Sequence, residues 1–133
     1  MIDRAAIAAA RRPLATQPDF LRTTPLMRLS GRSLGVECGE VWLKLEHLQV
    51  GGSFKARGML YRLLANPVPD SGVIIASGGN AGIATAAAAQ ALGVRCEVFL
   101  PGVSPEAKRA KLRALGAQVT VVGDMYAQAL AAC

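Results

Sequence analysis

Two short stretches hold residue types that can do chemistry. The first is Gln49-Val50-Gly51-Gly52-Ser53-Phe54-Lys55-Ala56-Arg57-Gly58. Two glycines lead to Ser53, a good N-cap residue, and then to an apolar-periodic run of Phe54, Met59, Leu60, Leu63 and Leu64. A loop enters a helix in this way. Lys55 is thereby set in the first turn, where unpaired N–H groups and the positive end of the helix dipole disfavour an ammonium. Such a lysine is either a plain surface residue or one whose amine spends time neutral, as an imine-forming lysine must. Ser53 serves as the cap or as a polar contact beside the reacting group. The second stretch is Ser77-Gly78-Gly79-Asn80, between an apolar run and a helical one. Free N–H groups, the positive dipole end and glycines that admit close approach make that place an anion site. The same glycines would also serve tight packing, with Asn80 as a cap. Gly78, Gly79 and Gly82 do not fit G-x-G-x-x-G, Glu97 falls mid-strand, and there is no G-x-x-x-x-G-K-[ST] run, so a nucleotide is a poor guest.

The elements around these stretches read as α/β. Asp3 caps a helix to about Arg12, stopped by Pro13. Residues 13–25 form an irregular arm, and Thr23-Thr24-Pro25 forces extended geometry before a strand over Leu26–Leu29. Val41 to Glu46 alternates, with Val41, Leu43 and Leu45 on one face, and its end delivers His47 and the glycine loop. Ligands gather outside the carboxyl ends of such strands, although a lone histidine is more often structural. The helix from Phe54 ends at Leu64, before Asn66-Pro67. A β-α alternation follows: strand 72–76, helix 80–92 closed by Gly93, strand 94–100, a helix with Ser104 as N-cap and Pro105 at its first position running to Leu115, strand 117–122, and a last helix capped by Asp124. Lys108, Arg109, Lys111 and Arg113 read as a solvated face. The alternation predicts a parallel sheet with crossover helices.

Composition narrows the class. The chain has 133 residues, 52% of them hydrophobic and 18% charged, enough for a packed core. Its longest apolar tract, Ala81 to Val94, is alanine-rich and broken by Thr85 and Gln90, and so reads as a buried helix, not a membrane span. Met1-Ile2-Asp3-Arg4 lacks the basic-then-apolar pattern of a secretory signal. A net charge of +6 raises nucleic acid as a partner, but the basic residues are spread along the chain and aromatics are 5%. No nucleic-acid or membrane partner is expected; a longer protein whose remainder carries the acids is the simpler account. Cys38, Cys96 and Cys133 are irregularly spaced and His47 stands alone, so no metal site is expected and reduced cytoplasmic thiols are the plain reading.

Lys44-Leu45-Glu46-His47-Leu48-Gln49, then Gly52-Ser53-Phe54-Lys55-Ala56-Arg57-Gly58, resembles the cofactor-lysine motif of the serine/threonine dehydratases, pyridoxal-phosphate enzymes of the tryptophan-synthase-β-like fold, fold type II. Ala76-Ser77-Gly78-Gly79-Asn80-Ala81-Gly82 lies where that family carries its Ser-Ser-Gly-Asn-His-like loop, and the block order matches from Thr24-Pro25-Leu26 onward, over residues 20–132. The resemblance implies a three-layer α/β enzyme. Residues 1–68 would belong to the large domain with the cofactor lysine, and residues 69–133 to a truncated small Rossmann-like domain. This chain would be an N-terminal fragment ending inside a helix. The phosphate-binding loop, the pyridine-nitrogen contact and any cation site would lie beyond it.

In that family's chemistry, Lys55 holds pyridoxal phosphate covalently and is freed by the incoming amino acid. Its amine removes the α-proton, the cofactor acts as electron sink, and the β-hydroxyl leaves as water. A 2-oxo acid and ammonia follow. Phe54 would pack on the cofactor ring, Asn80 would reach its ring oxygen, and Ser77, Gly78, Gly79, Asn80 and Ala81 would hold the substrate carboxylate. Many relatives have a second serine at the place of Gly78, which in the serine racemases acts as acid/base, so its absence favours dehydration. Ala81 replaces the usual histidine, which leaves the serine-versus-threonine preference open. The expectation is therefore a serine/threonine dehydratase with pyridoxal phosphate as cofactor, inactive as this fragment and homo-oligomeric in its full-length form. The alternatives are another fold type II activity, racemisation or β-replacement, and a non-catalytic Rossmann-like module binding a small anion.

Overall fold

In the computed structural model, residues 2–133 are described; Met1, the first residue of the amino-terminal stretch read above, lies outside them. The Asp3 carboxylate accepts the Ala6 N–H at 2.8 Å and opens helix α1, Arg4–Leu14. The helix continues past the expected stop and carries Pro13 in its last turn. So close to the end, the proline forfeits little beyond its own N–H bond.

Strands β1, Leu26–Ser30, and β2, Glu40–Lys44, form an antiparallel ribbon with Leu26 opposite Lys44 and Ser30 opposite Glu40. β2 is shorter than its alternation suggests. Leu45, at φ −80 and ψ 62, leaves the extended region, and two 3-10 turns follow, Glu46–Leu48 and Val50–Gly52. Helix α2 is Lys55–Leu64.

The rest is a three-stranded parallel sheet in the order β3 (Val73–Ala76), β4 (Cys96–Leu100), β5 (Gln118–Val121). Helices α3 (Asn80–Leu92) and α4 (Glu106–Ala114) make the crossovers, and α5 (Tyr126–Ala132) returns over β4 and β3. This is the expected α/β class with a parallel sheet and crossover helices. Gly93, at φ 67, closes α3 in the left-handed region as predicted.

Two helix starts differ from expectation. Pro105 at φ −58 and ψ 140 is itself the N-cap of α4, and the Ser104 side chain caps nothing. Pro105 can still offer its carbonyl, to Lys108 and Arg109. At α5 the cap is not the Asp124 carboxylate. Gln128 reaches back, and its Oε1 accepts the N–H groups of Asp124 at 2.9 Å and Met125 at 3.0 Å. These are the N–H groups just before the helix, not the first-turn donors that an Asp124 cap would take; the helix start is held by the side chain at its third position reaching back. On α4, Lys108, Lys111 and Arg113 are exposed, as a solvated face should be, but Arg109 is only half-buried and its Nη2 donates to the Gly102 carbonyl.

The core lies between α3 and the sheet: Ile83, Ala86 and Ala89 meet Cys96, Val98 and Leu100, with Leu112 and Ala117 closing one side. Every residue of α3 from Gly82 to Ala89 is buried. An alanine-rich helix has no bulky face, so α2 and the sheet both approach it closely. Burial raises the Cys96 thiol to about 11, in keeping with core filling. No described helix is long and apolar enough to cross a membrane.

Candidate active site

Lys55 is the first residue of α2. Its N–H points to Ser53 Oγ at a long 3.4 Å, and Ser53 is buried. The serine thus acts as a cap, although the formal N-cap position is Phe54, which is already helical at φ −58 and ψ −16. Gly51 and Gly52, at φ 75 and 82, make the turn that admits this start. The Lys55 amine lies 4.8 Å from the centroid of the Phe54 ring and has no hydrogen-bond or ion-pair partner among the described residues.

The second stretch also forms as the spacing predicts. β3 ends at Ala76, α3 begins at Asn80, and Gly79 is its N-cap, with no side chain supplying a cap bond. The Asn80 side chain is therefore not spent on capping and stands exposed. Gly82 is required by packing, because a Cβ there would lie 1.9 Å from the Ser77 carbonyl oxygen. At Gly78 a Cβ would meet Leu100 Cδ2 at 3.0 Å and Ser104 Oγ at 3.4 Å, so a larger residue needs Leu100 to give way.

The two stretches come together at their helix starts. α2 packs along α3, and the position of a Gly51 Cβ is 3.2 Å from Ile83 Cγ2, in the first turn of α3. A lysine amine without a partner among the described residues thus opens one helix, and a glycine-lined start with no side-chain cap opens its neighbour, the Gly79 N–H pointing to Ser77 Oγ at a long 3.4 Å. These residues suit a group that joins an aldehyde to an anion: Lys55 can bond the carbonyl carbon, Phe54 offers a ring face, and Asn80 and the loop N–H groups offer donors. His47 lies exposed in the turn after β2 and its side chain bonds to nothing among the described residues. A groove lined by Met59, Leu63, Val73 and Ile75 opens farther along α2 and holds neither Lys55 nor Asn80.

A polar network beside Lys55 was not read from the sequence. Arg57 forks onto Glu46, Nε to Oε2 at 2.9 Å and Nη2 to Oε1 at 2.9 Å. The buried Thr24 hydroxyl donates to the same carboxylate, and the Lys44 amine donates to the Thr24 carbonyl. Gln49, 1% exposed, accepts the N–H groups of Arg22 at 2.9 Å and Val50 at 3.0 Å and donates to the Arg22 carbonyl at 2.8 Å. The Arg57 hydrogen bond, with smaller help from Thr24 and from the Arg57 and Lys44 charges, outweighs desolvation and holds the Glu46 carboxyl below its ordinary value. Glu46 raises Arg57 in turn. All of these residues stood in or near the motifs, but a pairing across eleven positions and a turn leaves no periodic signal.

Pyridoxal-phosphate dependent enzymes as a family match residues 18–133. The chain belongs to that family. It is 36% identical over 109 residues to a catabolic L-threonine dehydratase of Staphylococcus aureus, covering 80% of this chain and 32% of that protein. Among solved structures, a T.th. threonine deaminase superposes with a TM-score of 0.80 at 37% identity, over 98% of this chain and 40% of that one. Maize serine racemase gives the same TM-score at 23% identity, over 95% of this chain and 39% of that one, which is a likeness of fold. The chain thus spans about a third of the curated relatives it matches. Pyridoxal phosphate is the family's cofactor, and the expected fold type II architecture is the one these neighbours share.

Proposed function

We propose that this chain is the lysine-bearing part of a threonine/serine dehydratase, which removes water from L-threonine or L-serine to give a 2-oxo acid and ammonia. The observation that carries the proposal is the Lys55 amine, without a partner among the described residues, at the head of a helix that packs along α3, whose own head carries the glycine loop. The likeness to threonine dehydratases supports it. When bound, the cofactor supplies an electron sink for the charge left at the substrate α-carbon. Lys55 anchors the cofactor and afterwards takes the α-proton on its Nζ. The N–H groups over Ser77, Gly78, Gly79, Asn80 and Ala81 hold the substrate carboxylate, where the helix dipole favours an anion. Asn80 and Phe54 would hold the cofactor ring, the amide as a hydrogen-bond donor to its ring oxygen and the phenyl ring as an apolar face. Gly78 offers no side-chain proton donor, so elimination is favoured over racemisation.

We assign residues 1–68 to the large domain and 69–133 to the small one. The full-length protein is taken to be a cytoplasmic homo-oligomer, with its three cysteines free as they are in this chain. The test uses the longest obtainable form with pyridoxal phosphate, followed by borohydride reduction and peptide mapping. A stable pyridoxyl adduct on Lys55, lost in Lys55→Ala, is expected, together with ammonia release from threonine or serine and no interconversion of serine enantiomers. An adduct scattered over Lys108 and Lys111 would sink the assignment. The 133-residue chain alone is expected to turn over neither substrate.

A further inference from the structure

The first turn of α2 is weakly held from within. It contains no acidic residue, and its N-cap supplies no side-chain bond. Its opening hydrogen bonds are long: 3.4 Å from Lys55 N to Ser53 Oγ and 3.5 Å from Ala56 N to the Ser53 carbonyl. Two positive-φ glycines precede it and bring no side chains to brace it. The direction in which Lys55 leaves the helix therefore depends on what grips residues 55–58 from the flank.

Arg57 supplies that grip. Its fork to Glu46 is matched at two atoms, and its Nη2 also donates to the Arg22 carbonyl at 3.2 Å. The same carboxylate takes the Thr24 hydroxyl, and Gln49 clasps Arg22 from the other side. One acid thereby ties three segments to one another: the arm at 22–25, the turn at 46–50 and the start of α2. The geometry points to Glu46 and Arg57 as the positioning pair for the Lys55 amine, a bidentate brace that holds the first turn so that the amine is presented in one orientation. This inference rests on the reading of Lys55 as the cofactor lysine. Both residues act through Lys55. The planar fork matters as well as the charge, so lysine is not an adequate replacement for Arg57.

The test again traps pyridoxal phosphate with borohydride in the longest obtainable form, and reads the ratio of adduct on Lys55 to adduct on Lys108 and Lys111. Arg57→Lys and Glu46→Gln are each expected to lower that ratio about tenfold while circular dichroism stays native, because small misplacements of a reacting group are costly. The same variants are expected to lower kcat for threonine with little change in KM. An unchanged ratio in a folded Arg57→Lys overturns the inference. Unfolding of Arg57→Lys also overturns it, since the pair would then be holding the fold and not the amine. If the unaltered protein gives no Lys55 adduct, this inference and the assignment of Lys55 fall together; an adduct indifferent to Arg57→Lys removes this inference alone.

Discussion

The residues around Lys55 divide their tasks by charge. Among the described residues Lys55 itself has no carboxylate beside it, whereas Arg57, two positions later, is neutralised by Glu46. That neutralisation has a consequence for stability. Glu46 titrates lower in the folded chain than its ordinary value of 4.5. The pair therefore stabilises the fold at pH values above 4.5, and the contribution is lost as pH falls through the lowered folded value. Glu46→Gln is expected to be less stable than the parent at neutral pH and to show a flatter decline on acidification. Urea midpoints measured across the acid range check this; identical acid limbs would mean that the pair contributes nothing. Arg57 is partly open to solvent, so screening keeps the effect modest.

At the scale of elements, the β3–α3 junction is the tightest joint. Gly82→Ala drives a Cβ into the Ser77 carbonyl at 1.9 Å, a contact that only backbone movement relieves. A loss of about 1–3 kcal/mol is expected, the usual range for overpacking a filled site, with the midpoint of chemical denaturation as the readout. The same movement would displace the loop from Ser77 to Asn80, so the variant should also bind the substrate carboxylate less well. This joint was legible in the sequence because its signals are local: an apolar run, three glycines and a helix that closes at Gly93. The sheet was legible for the same reason. The starts of α4 and α5 were not, because adjacent residues can each take the cap position. Pro105 takes it beside Ser104, and Met125 takes it beside Asp124, with Gln128 reaching back from within the helix. The Glu46–Arg57 brace was hidden for a different reason. It depends on how a turn folds two segments together, and the early end of β2 at Lys44 is what swings Glu46 out of the strand to meet Arg57.

At the scale of the molecule, the apolar surface is unevenly placed. The antiparallel ribbon exposes Leu26, Met27, Trp42 and Leu43, while the α3 side of the parallel sheet is sealed. Trp42 is the single tryptophan and is 56% exposed, so it reports on the ribbon alone. In the dilute 133-residue chain its fluorescence is expected to be readily quenched by acrylamide. In a form extended to the length of the relatives it is expected to be protected, because the ribbon exposes large apolar side chains on both faces, Leu26 and Trp42 on one and Met27 and Leu43 on the other. Equal quenching in the two forms would show that the ribbon stays open to water.

The buried helix α3 carries a warning for mutagenesis. Six of its buried or half-buried positions, Ala81, Ala84, Ala86, Ala87, Ala88 and Ala89, already hold the residue that a standard scan would install. An alanine scan would pass over the most constrained helix of this protein and report it as silent. Substitution by serine or valine, which adds one or two heavy atoms at positions already closed to solvent, is the survey that would reveal it.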